Sequence, residues 1–301
     1  MMRGAKAAMT SSVLAWRSEN SDFTSRLGDL RKTADEDGIW ANIYSSRSEY
    51  SKDKAKYEGD FKTYQVGYDR PLGNSKWHAG GAFSYMDGNS TYETGNGENN
   101  SYSIALYGSY LGTAGDYLDI VLKGSRLKNQ YKVFNDSGVK LEGDYQNTGI
   151  SLSTEYGKRF ENAGIFIEPQ VQLTYSRLNS KDYNANSDYD GGKDLSVSQD
   201  AMNSLVGRIG MGIGKNFKKG SVYLKASVLH EFSGDISTTF AANNEPTKSV
   251  KQDFGDTWTE LSVGGTGKIN NNSYMYLDLS KTFGGDITTK WKANLGMRWS
   301  F

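Results

Sequence analysis

The stretch WKANLGMRWSF, residues 291–301, decides the fold. Trp291, Ala293, Leu295, Met297, Trp299 and Phe301 are apolar, and Lys292, Asn294, Gly296, Arg298 and Ser300 lie between them. Successive side chains of a strand point to opposite faces, so one face is greasy with aromatics at both ends and the other carries charge. A half-buried strand of any sheet alternates in this way, so one strand does not choose an architecture.

The pattern recurs along the chain. Leu118, Ile120 and Leu122 alternate with Asp119, Val121 and Lys123. Ile165, Ile167, Val171 and Leu173 alternate with Phe166, Glu168, Gln170 and Gln172, and Tyr102, Ile104, Leu106 and Tyr110 with Ser103, Ala105 and Ser109. Twelve strands are expected, near 38–47, 60–71, 76–87, 100–111, 116–128, 143–159, 164–176, 202–216, 220–232, 256–268, 273–282 and 290–301. Pro169 falls inside one of them, where it forfeits a ladder hydrogen bond, so a local irregularity is expected there.

The connections say more than the strands. Segments 72–75, 112–115, 161–163, 217–219 and 269–272 are short and rich in Gly, Asn or Lys. Between them come the long polar segments 48–58, 88–99, 129–142, 178–201 and 233–255, and an intermediate one at 283–289. Tight turns and large loops alternate in this way in outer-membrane barrels, with the turns periplasmic and the loops external. A soluble sandwich or propeller has no reason to sort its loops by parity. The expected fold is therefore an all-β transmembrane barrel of twelve antiparallel strands. Its even strand count and long first and last connections put both ends on the periplasmic side.

Composition agrees. The chain has 301 residues with 35 glycines, 20 tyrosines, three prolines and no cysteine. No stretch approaches the roughly 18 apolar residues of a membrane helix, but a barrel strand averages out as polar and escapes that test. Thirty-five basic residues balance 35 acidic ones, so nothing favours nucleic acid as a partner. Without cysteine there are no disulfides, zinc–thiolate sites or thiol nucleophiles. Met1–Thr10 lacks the apolar core of a signal peptide, so an exported chain with this start is expected to have lost an N-terminal portion.

Residues 1–37 form a separate unit from the barrel at 38–301. Met2–Lys32 reads as a polar helix, interrupted near Ser18–Ser21. If Ala5–Arg31 were wholly helical it would span about 40 Å, enough to cross the ~25 Å apolar band of a barrel. Its face is too polar for lipid, and a twelve-stranded lumen is wider than the ~8-stranded case that side chains fill, so the helix is placed inside the pore. Gly210, Gly212 and Gly214 share a face with Arg208, opposite Leu205, Ile209, Met211 and Ile213. A lumen-facing glycine column leaves room for a helix; alternatively it only lets the strand bend. A periplasmic or cytosolic tail is the other reading of the N-terminal helix. A helix threaded through the pore from a periplasmic first strand has its N-terminus outside the cell, which points to export of whatever precedes it.

Several motifs then carry a family resemblance. Arg26-Leu-Gly-Asp-Leu-Arg31, with Gly28 and Asp29 at its centre, is followed by Gly38-Ile-Trp40-Ala41. Phe166-Ile-Glu-Pro-Gln170, Gly207-Arg208 through Gly214-Lys215-Asn216-Phe217, and Met297-Arg-Trp-Ser-Phe301 follow in order. From about Glu19 to Phe301 the chain resembles the translocator domain of autotransporters (type V secretion). The resemblance implies an outer-membrane barrel that exports an N-terminal passenger and anchors it at the cell surface, the helix plugging the pore afterwards. It makes Arg26, Gly28, Asp29, Arg31 and Trp40 the helix–barrel join. Met297, Trp299 and Phe301 become the signal read by the barrel-assembly machinery. The implied partners are the chain's own passenger, outer-membrane lipid and lipopolysaccharide, that machinery and periplasmic chaperones, with the chain a monomer. Two positions depart from the pattern. The family often has arginine where Asn42 stands. The Asn-Asn pair at which serine-protease autotransporters of enteric bacteria cleave themselves falls on Ser21-Asp22, with Asn20 displaced by one, so that cleavage is unsupported here.

Other chemistry is set aside. His78 and His230 lie on well-separated strands, and no Gly-x-Ser-x-Gly elbow is present. Asp188, Asp190 and Asp194 do not have the spacing of an EF-hand, and the glycine column lacks the strand-to-helix context of a phosphate loop. No enzyme activity, cofactor or metal is expected. A passive, plugged porin-like or adhesin barrel without passenger is the alternative function.

Overall fold

The computed structural model describes residues 9–20, 36–52, 55–134, 137–188, 194–241 and 246–301. One antiparallel sheet closes on itself. Its first strand, Gly38–Lys52, pairs with the second, Ala55–Pro71, on one side and with the twelfth, Ile287–Ser300, on the other. Strands three to six are Trp77–Tyr92, Gly95–Leu111, Asp116–Phe134 and Lys140–Lys158. Strands seven to eleven are Ile165–Leu178, Met202–Phe217, Gly220–Glu231, Thr257–Asn270 and Ser273–Phe283. Each pairs with its sequence neighbour, so the expected twelve-stranded barrel is the observed one.

At the short-turn end the expected boundaries hold to within two residues. At the other end the strands run on. The fifth and sixth continue to Phe134 and from Lys140, through residues expected to be loop. Segment 178–201 contains the paired strands Lys181–Ser187 and Asp194–Gln199, and 233–255 contains Asp235–Ala241 paired with Lys248–Asp253. The two hairpins join each other and the sixth strand, so most of the expected loops are an upward extension of the wall.

The irregularity expected at Pro169 is present. Pairing of strands six and seven reaches Gly157–Gln170 and resumes only at Phe160–Ile167, in the same register. Lys158 falls opposite the proline, which has no N–H to give, while Arg159 beside it continues the ladder with strand five by donating its N–H to the Gly115 carbonyl at 2.8 Å.

A belt of large apolar side chains covers the outer face. Ile209, Ile104 and Leu106 are 71%, 66% and 62% exposed. Tyr64, Tyr102, Tyr175 and Trp291 edge the belt toward the long hairpins, and Tyr68, Phe160, Phe217, Trp299 and Phe301 edge it toward the short turns. Inside the belt the wall presents buried Ser, Asn, Gln, Asp, Glu, Lys and Arg. Above the belt the two faces exchange character. In strand five the inward residues pass from Asp119 and Lys123 to Leu127, Tyr131 and Val133, while the outward ones pass from Leu122 to Arg126, Lys128, Gln130 and Lys132.

The helix of residues 9–20 stands inside this barrel. Met9, Val13, Leu14, Ala15 and Trp16 are buried in one apolar cluster with Tyr57, Phe61, Tyr131, Val133, Tyr145 and Phe254. Thr10, Ser11 and Ser12 are weak helix formers. Confinement compensates, because a backbone shut away from water satisfies its own hydrogen-bonding groups best as a helix.

Candidate functional site in the barrel lumen

The helix is held at two levels. Its upper part, Met9–Trp16, fills the apolar collar formed by the strand extensions. Trp16 lies directly against Gly149 of strand six, where a β-carbon would overlap its ring. Glycine is required there by close approach, which the sequence reading sought at other glycines. The lower part enters the polar lumen. Glu19 accepts a 2.6 Å bond from the Ser125 hydroxyl and faces Lys123 Nζ at 3.6 Å. The same ammonium donates to the Glu19 carbonyl at 2.7 Å and sits 5.6 Å from the Trp16 ring. On the opposite wall Arg17 donates to Glu231 at 3.0 Å and to the Phe254 carbonyl at 2.9 Å, under the rings of Phe254 and Trp258. Glu231 is itself fixed by the Ser204 hydroxyl and the Leu205 N–H. A buried charge is costly unless paired and bonded. Both helix charges meet that condition, one on each side.

A cavity of about 170 Å³ lies beside Arg17. Arg208, Lys225 and Lys292 face Glu155, Glu260 and Asp278 around it. Arg208 pairs with Glu155, and Asp278 accepts from the Tyr223 hydroxyl at 2.8 Å. Val206, Leu229 and Trp258 complete the lining beside these charges.

Below both levels lies a network around Trp40. Trp40 donates its indole N–H to the Tyr107 hydroxyl at 2.7 Å, and that hydroxyl donates to Asp69 at 2.7 Å. Arg298 on the twelfth strand pairs with the same Asp69, spanning the first strand, and donates to the Glu36 carbonyl at 2.9 Å. The Trp40 ring lies over Gly67, where no side chain intervenes. One network thus ties strands one, two, four and twelve to the segment leading in from the helix.

Of the residues singled out from sequence, Trp40 lies at the centre of this network. Arg26, Gly28, Asp29 and Arg31 fall outside the described residues, as do Ser21, Asp22 and Asp190. Gly210, Gly212 and Gly214 turn their faces inward, while Ile209, Met211 and Ile213 point out. Their nearest neighbours are Ser227, Glu168 and Phe166 of the wall, not the described helix, so the room they leave is taken by barrel side chains. Met297, Trp299 and Phe301 point outward; Phe301 stacks on Tyr68 at 6.5 Å, and its N–H donates to the Asp37 carbonyl at 3.0 Å. Asn42, at the position of the family's arginine, is buried and donates to the Tyr44 hydroxyl at 3.2 Å. Asn20 ends the described helix beside the cavity.

His78 is buried in the lumen, whereas His230 points out and meets Thr257 at 2.6 Å, so the two face opposite sides of the wall. Asp188 is paired with Lys140, and no group of three metal-ligating side chains occurs among the described residues. Lys123, Glu231 and Gly149 were not singled out in the sequence. Lys123 was nonetheless visible, with Asp119, as a charge on the face opposite Leu118, Ile120 and Leu122.

A closed twelve-stranded barrel with an apolar outer belt, a polar lumen and a helix anchored within it defines the class of outer-membrane pores plugged by their own chain. The autotransporter beta-domain family matches residues 39–280, and the chain belongs to that family. It is 28% identical over 298 residues to the pertactin autotransporter of Bordetella parapertussis, covering 95% of this chain and 31% of that one. It is 30% identical over 295 residues to the probable autotransporter YcgV of Escherichia coli, covering 94% and 30%. The β domain of the Bordetella autotransporter BrkA superposes with a TM-score of 0.70 at 26% identity, covering 89% of this chain and all of that domain. The chain thus spans under a third of the length of the curated relatives it matches.

Proposed function

We infer that this barrel carries a polypeptide joined to its N-terminus out through the outer membrane and holds it at the cell surface, the helix remaining as the plug. The observation that carries this reading is the direction of the helix. Its N-terminal half lies among the long hairpins, and its C-terminal end lies deep in the lumen, bonded to Lys123 and Ser125. With the short turns in the periplasm and the long hairpins outside, anything ahead of Met9 emerges on the external side. Residues 1–37 act as the pore segment and 38–301 as the translocator. Arg26, Gly28, Asp29 and Arg31 serve with Trp40 as the helix–barrel join, and Gly210, Gly212 and Gly214 are small lumen-facing residues of strand eight.

The chain works as a monomer surrounded by outer-membrane lipid and lipopolysaccharide, and takes no catalytic part itself. Periplasmic chaperones deliver it, and the barrel-assembly machinery reads Met297, Trp299 and Phe301. An epitope placed before Arg3 tests the export reading. Antibody binding to intact cells is the expected result, and staining only after permeabilisation would leave a passive plugged barrel. Deleting Phe301 tests the assembly signal. Insertion is expected to fall severalfold, and equal insertion with and without that residue would refute the role.

A further inference from the structure

The outer belt is not uniformly full. A groove of about 490 Å³ crosses it obliquely from Lys158 on strand six to Thr259 on strand ten. Its floor is short: Pro169 and Ala226 point outward there, over the backbone of Gln170, Gly210 and Ser227. Tyr156, Val171, Ile209 and Val228, all about half exposed or more, form a tall row along one side, and Met211 of strand eight stands between Pro169 and Ala226. The floor is low for a reason already seen in the ladder. Proline interrupts the pairing with strand six, and Ala226 of strand nine stands where its neighbours Leu224 and Val228 are large. One end of the groove has a cation. Lys158 lies on the wall three residues short of the 161–163 turn, at the height of the aromatic edge, with its ammonium 5.3 Å from the Phe160 ring.

We propose that this groove is a site for one anionic phospholipid, with an acyl chain lying over Pro169, Met211 and Ala226 beside the taller Tyr156, Val171, Ile209 and Val228, and the phosphate at Lys158. The proposal rests on the reading of the chain as a membrane-spanning barrel with its short turns in the periplasm. Hydrocarbon bounds the belt on that reading, and an unfilled groove would leave its lining atoms without dispersion partners. A lipid chain is the apolar body at hand, and its length runs from headgroup level toward the bilayer centre, as the groove does. Lysine at the surface of a leaflet attracts anionic headgroups. Its place at the short-turn edge selects a glycerophospholipid of the inner leaflet over lipopolysaccharide of the outer one.

The test is native mass spectrometry of the full chain, refolded in detergent and offered equal concentrations of phosphatidylglycerol and phosphatidylcholine. The wild type is expected to retain one phosphatidylglycerol about fivefold more often than phosphatidylcholine. Lys158→Gln should erase that preference but still bind either lipid, Ala226→Leu should reduce both, and Lys281→Gln at the opposite edge should change nothing. Inorganic phosphate added alone should not displace the lipid. Equal retention of the two lipids by the wild type, unchanged binding in Ala226→Leu, displacement by phosphate, or preference for added lipopolysaccharide would each overturn the site. Heat-modifiable gel migration of every variant reports on the barrel separately, so loss of the fold is distinguished from loss of the lipid.

Discussion

The two ends of strand five, Asp116–Phe134, obey opposite rules on one continuous ladder. Near its short-turn end the outward residues Leu118, Ile120 and Leu122 are apolar, and the inward Asp119 and Lys123 are polar and buried among Tyr117 and Val121. Near its other end the inward Leu127, Tyr131 and Val133 are apolar, and the outward Lys128, Gln130 and Lys132 are polar. Backbone geometry is the same in both halves. What changes is the surroundings on each side: the lower half has hydrocarbon outside and a polar lumen with the helix's charged end within, the upper half has water outside and the helix's apolar face within. A strand pattern therefore records its two environments and not only its fold.

Four substitutions on this one strand test that contrast. Lys123→Ala leaves Glu19 buried with only Ser125 for company. Breaking a buried pair in this way costs about 3–5 kcal/mol. The loss should appear as a lower urea midpoint in phospholipid vesicles and as protease access to the helix. Pairing Lys123→Met with Glu19→Gln should recover much of it. Leu122→Arg puts a charge on the outer belt and should cost about 2–4 kcal/mol in the same titration. Val133→Ala removes an inward side chain from the collar, for about 1.5–3 kcal/mol. Lys132→Leu, on the outward face of the collar, should stay within about 0.5 kcal/mol of wild type. If Lys132→Leu and Leu122→Arg shifted the midpoint equally, the exchange of faces would not be what separates the two halves.

The same exchange explains what could be read from the sequence. Strand number, order and short-turn boundaries were legible because every strand passes through the belt, where the apolar face is outermost and unbroken. The upper boundaries were not. At Arg126 the outward face turns polar, and an alternation that shifts its apolar residues to the other face looks like its end. Residues 129–142 accordingly read as a loop in the sequence, although the ladder continues to Phe134 and resumes at Lys140. For the lumen, Trp40 was legible through its motif. Gly149 was not, because the ring that requires it belongs to a helix more than a hundred residues away. The Glu19–Lys123 and Arg17–Glu231 pairs were illegible for the same reason: each joins a helix to a wall across a large sequence separation.

The exchange at Arg126 also acts as a waterline. Raising the barrel would lift Leu122 and its neighbours into water, and lowering it would drag Arg126 and Lys128 into oil. Either displacement is opposed on several strands, since exposed aromatic rings edge the belt toward both ends. The barrel therefore floats at one depth by itself, and any pull on the helix within meets a hull that rights itself against the load.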